Sequence, residues 1–122
     1  MLPITSMVAT LAAVSLIALS LPVSLRRMKV GTEIGMGDDL ALLRRIRAQG
    51  NFIEYVPLGL ILLALAEYRQ AATGLVWTIA GLLVAGRLLH ATGMLSGLTP
   101  ARATGMLATY GALLAGAVAL VI

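Results

Sequence analysis

Four apolar stretches, each long enough to cross a lipid bilayer and separated only by short polar turns, decide what this chain can become. A bilayer core takes roughly 20 apolar residues per helical crossing. Runs of that kind start at Ile4, near Leu40, near Leu75 and at Pro100. Lipid offers no water to satisfy backbone amides, so each run has to close its own hydrogen bonds as a helix. Composition agrees, because 60% of the residues are hydrophobic, 11% are charged and the mean hydropathy is +0.99, outside the balance of a soluble domain. The sequence therefore predicts an all-α integral membrane four-helix bundle. It is a single domain over residues 1–122, with helices over about 4–29, 40–68, 73–95 and 100–121.

The turns carry the orientation signals. Helix one ends in Arg26, Arg27 and Lys29 and has no positive region ahead of it, which marks a retained helix rather than a cleaved signal peptide. The stretch VGTEIGMGDD (Val30 to Asp39) is the longest loop, and Asp38 or Asp39 is placed to cap the helix that follows. Thr99 and Pro100 suit the N-cap and first helical position of helix four. Gly93 and Gly97 fit the small-xxx-small packing pattern, but their place at a helix end favours a turn.

Lys and Arg crowd the first loop and its adjoining helix ends, Arg102 lies on the same side, and the second loop has only Arg69. The positive-inside rule then puts the first and third loops in the cytoplasm and both termini on the non-cytoplasmic side. The net charge of +4 does not signal nucleic acid, because the cations sit at helix ends rather than on a soluble basic face. There is no cysteine, so disulfides, zinc–thiolate sites and thiol chemistry by the chain itself are excluded, and no metal site is expected. A sulfur nucleophile would have to arrive with a ligand. So small a bundle can hardly enclose a large polar site alone, which implies a homo-oligomer with sites near subunit contacts.

Helix two is the anomaly. Its first half holds Arg44, Arg45, Arg47, Gln49, Asn51 and Glu54, whereas its second half is nearly all aliphatic. At 100° per residue, Arg44, Arg47, Asn51, Glu54 and Tyr55 share one face about 100° wide, with Arg45 and Gln49 pointing elsewhere. An ionisable group at the centre of a membrane helix costs at least ~2.5–3.5 kcal/mol, so it persists only when paired, hydrated or used. Helix three supplies Arg87 and, on the same flank, His90. The plain structural expectation is an Arg87 to Glu54 ion pair between the two helices. For Arg26, Arg27, Arg44 and Arg45 it is snorkelling to anionic headgroups. Taken together, cations from several helix ends, an amide and a carboxylate at one level suit a zwitterionic ligand with several carboxylates.

These residues also carry a resemblance. The segment RAQGNFIEYVPL (Arg47 to Leu58), preceded by a glycine-rich loop with paired acids, closely resembles the second-helix signature of the MAPEG family, the membrane-associated proteins in eicosanoid and glutathione metabolism. GRLLH (Gly86 to His90) and TPARATGM (Thr99 to Met106) look like the third-helix and fourth-helix motifs of its prostaglandin E synthases. The pair Arg26 and Arg27 resembles the paired arginines of its leukotriene C synthases.

The resemblance implies a homotrimer that binds glutathione, as thiol cosubstrate, between subunits near the cytoplasmic face. Arg47, Gln49, Asn51, Glu54 and Tyr55 match glutathione-binding positions, and Arg26 matches a further contact. Arg87 and His90, in the third-helix motif, join the candidate binding set. Arg102 matches the arginine that stabilises the glutathione thiolate, and Arg27 one implicated in catalysis. Ala103 stands where those synthases carry serine, and His90 and Met94 stand where they carry tyrosines, which removes hydroxyls from the sulfur's surroundings.

The implied function is a membrane-bound glutathione transferase or peroxidase of a bacterial inner membrane, detoxifying hydrophobic electrophiles that partition into lipid. The alternative is a non-catalytic membrane module binding lipid or a partner protein through the same cationic pocket. A small four-helix exporter is disfavoured because such exporters carry their membrane carboxylate on helix one, and here the acid, Glu54, is on helix two.

Overall fold

A computed structural model describes all 122 residues as four helices, α1 (Pro3–Val30), α2 (Leu40–Tyr68), α3 (Thr73–Ser96) and α4 (Thr99–Val121), with no strand. At 1.5 Å per residue the shortest, with 23 residues, is about 34 Å long, enough to cross a hydrocarbon core of about 30 Å. Each helix meets the length and hydropathy of a membrane span. They run up and down, so the first and third loops share one end of the bundle and both termini share the other.

The helix boundaries follow from local chemistry. Asp39, rather than Asp38, caps α2, its carboxylate accepting the Leu42 amide at 2.8 Å. Gly31 and Gly97 terminate α1 and α3 in the left-handed region, at φ 72° and 77°, which costs glycine nothing. The start of α4 corrects the sequence expectation by one residue: Leu98 is the N-cap and Thr99 is already helical, with Pro100 second. Proline fits there because the early amides of a helix lack partners inside it. The Gly93/Gly97 pair divides its roles, for Gly97 makes the turn while Gly93 lies inside α3 with no room for a Cβ against the backbone of Arg102.

At the termini end, the last turn of α2 ties down its neighbours. The Glu67 carboxylate accepts the amides of Ile4 and Thr5 at 2.9 and 2.8 Å and the Thr5 hydroxyl at 2.7 Å, serving as the N-terminal cap that α1 lacks in its own sequence. Arg69 donates to the carbonyl of Leu120 near the end of α4. The apolar core fills this half of the bundle, with Leu63 and Ala66 of α2 packed on Val76, Ile79 and Leu83 of α3 and on Ala112 and Ala119 of α4. Only 24 of 122 residues are buried, and the large side chains outside that set, such as Leu11, Val14, Ile17, Leu58, Trp77 and Leu114, cover the surface that faces lipid.

Glycines set the closest seam, between α3 and α4. A Cβ on Gly86 would stand 2.7 Å from the Thr109 hydroxyl and 2.9 Å from the Gly105 carbonyl oxygen, and one on Gly105 would stand 2.8 Å from the His90 Cα. The two backbones touch here, which brings α4 side chains within reach of the polar groups of α2 and α3.

Candidate functional site

Arg47, Asn51, Glu54 and Tyr55 of α2 line a groove where α2, α3 and α4 meet, whereas Arg44, expected on the same face, turns to Gly97 and a recess beside Pro22 of α1. At its centre is Arg87, only 8% exposed. Its Nη1 donates to the Asn51 Oδ1 at 2.5 Å, and its Nε and Nη2 donate to the Thr109 hydroxyl at 3.2 and 2.9 Å. Thr109 in turn donates to the Gly105 carbonyl at 2.8 Å. Asn51 and Thr109 are themselves buried, so three helices contribute one closed network of polar groups.

The expected Arg87 to Glu54 ion pair is not formed. Glu54 instead pairs along its own helix with Arg47, at 3.5 Å, and both side chains are about half exposed at 48%. The reason lies in the glycine seam: α4 approaches closely enough for Thr109 to occupy one edge of the guanidinium, while Asn51, one turn before Glu54, takes another. Arg87 thus keeps its charge with neutral partners only. A cation held that way in an apolar bundle is a standing attraction for an anion.

Above and below Arg87 the groove continues. Toward the first-loop end, His90 is buried against the backbone of Gly105, and its electrostatic surroundings are Arg87, Arg102, Arg47 and Glu54. Arg102 lies at the mouth with its Nη1 4.0 Å from the Met94 sulfur. Deeper in, the Tyr55 ring lies 5.8 Å from the Arg87 guanidinium carbon. The Tyr55 hydroxyl stands 3.4 Å from that of Tyr110 on α4, the rings meeting edge to face. Seven candidate residues, Arg47, Asn51, Glu54, Tyr55, Arg87, His90 and Arg102, therefore line one groove within one chain.

Three others do not reach it. Gln49 faces α1, donating to the Ser20 hydroxyl at 2.8 Å. Arg26 forms a two-pronged pair with Asp39, both bonds 2.8 Å. Arg27 donates to the carbonyls of Gly35 at 2.5 Å and Thr32 at 3.4 Å, bracing the first loop. Next to Arg26, the Asp39 carboxyl is pulled down to about 2, chiefly by hydrogen bonding to that guanidinium; desolvation opposes this, and the Leu42 amide and the charges of Arg26 and Arg45 lower it further.

The sequence reading left out three α4 groups, Met106, Thr109 and Tyr110. Their signal is faint but present. Counting from Arg102, these positions are four, seven and eight residues on, the spacing of one helical face.

A profile of the MAPEG family matches residues 5–122, all four helices and every groove residue. The chain belongs to the MAPEG family. Among curated relatives, the inner membrane protein YecN of Escherichia coli K12 is 35% identical over 111 residues, covering 91% of this chain and 85% of the relative. YecN from the Escherichia coli O6:H1 strain matches with the same identity and coverage. The MAPEG assignment thus agrees with the expectation from the second-helix segment, and the groove falls within the span that defines the family.

Proposed function

We propose that this MAPEG protein is a glutathione-dependent transferase or peroxidase of a bacterial inner membrane, acting on hydrophobic electrophiles dissolved in lipid, with its groove near the cytoplasmic face. The observation that carries the proposal is the convergence of three arginines and one glutamate on a single half-buried groove with a buried amide and two tyrosine hydroxyls. That donor set fits glutathione, whose two carboxylates call for guanidiniums and whose ammonium calls for a carboxylate. When bound, glutathione would supply the nucleophilic sulfur that a chain without cysteine lacks.

The chain's own residues then have distinct tasks. Arg47 and Glu54 at the rim grip charged ends, and Asn51 and Thr109 keep the Arg87 guanidinium fixed so that its charge faces the groove at no cost in reorganisation. Arg102, at the mouth, lowers the pKa of a thiol placed beside it by stabilising its anion. Tyr55 and Tyr110 hold hydroxyl protons at the deep, lipid-side end. In the proposed homotrimer, with its termini on the non-cytoplasmic side, Arg26 and Gln49 on the α1 flank would serve a neighbouring subunit's site by exchanging their bonds to Asp39 and Ser20 for the ligand. Arg27 would act beside them in catalysis.

Calorimetric titration of detergent-purified protein with glutathione tests this reading. Saturable binding is expected, weakened at least roughly tenfold by Arg47→Ala or Glu54→Ala, since each removes a hydrogen-bonded charge pair. Absence of saturable binding to any low-molecular-weight thiol refutes it and favours a non-catalytic module that binds lipid or a partner protein.

A further inference from the structure

On the opposite flank from the groove, α1 packs along α2 but only lightly on α3, leaving two cavities in the α1–α3 gap. Near the first-loop end is a recess of about 330 Å³ bounded by Pro22, Ala41, Arg44, Arg45 and Leu95. One helical turn deeper, since Leu19 precedes Pro22 by three residues and Ala91 precedes Leu95 by four, lies an apolar slot of about 210 Å³. There Ala12, Ser15 and Leu19 of α1 face Val84 and Ala91 of α3, with Phe52 of α2 behind them.

The two arginines of the recess have no acidic partner. Arg45 donates only to the Pro22 carbonyl, at 3.3 Å. The Arg44 guanidinium lies against Gly97, with its Nη2 3.0 Å from where a Cβ would be, and makes neither hydrogen bond nor ion pair. The nearby Asp39 is already engaged by Arg26 and by the Leu42 amide. Two unpaired guanidiniums at the level where the helices end, above a slot with almost no polar lining, make a cationic head site joined to an apolar tail site.

We infer that the α1–α3 gap is a binding site for an anionic phospholipid, with the phosphate held between Arg44 and Arg45 and one acyl chain lying in the slot beneath. Charge complementarity selects the occupant. A phosphate offers several acceptor oxygens to two guanidiniums, whereas a zwitterionic lipid brings a compensating ammonium that gains nothing there. The slot explains why the ligand is a lipid and not a free anion. Arg87 borders the slot as well as the groove, but the head site at Arg44 and Arg45 contains no groove residue, and the inference does not depend on the proposed enzymatic activity.

Native mass spectrometry of the full-length protein in detergent tests it, using phosphatidylglycerol and phosphatidylcholine with identical acyl chains. Two interfacial arginines acting on one phosphate set the expected preference for phosphatidylglycerol at roughly 30-fold. The double variant Arg44→Gln, Arg45→Gln should lose that preference, while the corresponding double lysine variant keeps most of it. Ala91→Phe should lower retention of both lipids by filling the slot; if it fails to fold, the glutamine and lysine pairs still decide. Equal retention of the two lipids by the natural protein overturns the inference, as does a preference that survives in the glutamine pair. Glycerol phosphate binding as tightly as the intact lipid overturns it too. So does a photo-crosslinker at position 91 that captures a second copy of the chain instead of lipid.

Discussion

Replacing Gly105 by alanine should open the α3–α4 seam and loosen Arg87 with it. The added Cβ would stand 2.8 Å from the His90 Cα and 2.7 Å from the Gly86 carbonyl oxygen, whereas ordinary contact begins near 3.4 Å. These are backbone atoms that cannot rotate away, so the helices must part by at least 0.6 to 0.7 Å at this level. Thr109 sits one turn further along α4, and the same displacement carries its hydroxyl from 3.2 to nearly 3.9 Å from Arg87 Nε, past hydrogen-bonding range. The Nη2 bond, now 2.9 Å, stretches to its limit. Overpacking costs about 1–3 kcal/mol, and a hydrogen bond to a charged group contributes about 1.5–3 kcal/mol. The summed loss is on the order of 3–5 kcal/mol, read as a lower midpoint in denaturant-driven unfolding in mixed micelles. Gly81→Ala is the internal control, because a Cβ there meets nothing within 4 Å, and the change should be neutral or stabilise by up to about 1 kcal/mol. Equal midpoints for the Gly105 and Gly81 variants would refute the claim that backbone contact at this seam positions Arg87.

Two further outcomes follow from the helix ends. Glu67→Ala leaves the amides of Ile4 and Thr5 without acceptors, so amide exchange over residues 3–6 should accelerate, consistent with a cap contribution of about 1 kcal/mol, while exchange in the middle of α3 stays unchanged. The Asp39 carboxyl is lowered to about 2 in the folded chain, below an unfolded value of about 3.9. Its contribution is therefore complete above pH 4 and is lost as pH falls from 4 toward 2. Melting midpoints measured through that window should fall in the natural protein and stay flatter in Asp39→Asn; parallel curves would count against the Arg26 pairing.

How much of this was legible beforehand varies with the range of the interaction. The four spans are written in run length alone, since every residue of a span feels the same lipid. The α2 cap was legible as a residue type but not as a choice between Asp38 and Asp39, which turns on one backbone rotation. The start of α4 was misplaced by one residue for a related reason, because Thr99 and Leu98 differ little as caps when no side-chain bond forms at either. Partners across helices were the least legible. On a helical wheel, Glu54 and Asn51 both face Arg87, and the winner depends on how near α4 comes. That is decided by Gly86 and Gly105, nineteen residues apart. Glu67 and Arg69 read as turn residues in sequence. Their partners, Thr5 and Leu120, lie some sixty and fifty residues away, and only the folded bundle brings them together.

The division of the bundle into halves has an electrostatic consequence for the proposed chemistry. Around the groove, Arg47, Arg87 and Arg102 face one acid, Glu54, so the guanidiniums outnumber the carboxylate by two. In a medium of low effective dielectric such an excess is neutralised by whatever anion fits. Glutathione with its thiol protonated brings a net charge of minus one, and with its thiol ionised, minus two, so on the proposed reading the groove as a whole, and not Arg102 alone, favours the thiolate. Two variants that would otherwise look alike are thereby distinguished. Arg102→Gln removes charge at the mouth and should raise the thiol pKa while leaving the helices packed. Arg87→Met removes an equal charge but also orphans the buried Asn51 and Thr109 oxygens, so it should lower the unfolding midpoint as well. A change in thiol pKa for Arg102→Gln but none for Arg87→Met would place all of the effect at the mouth and refute the whole-groove balance.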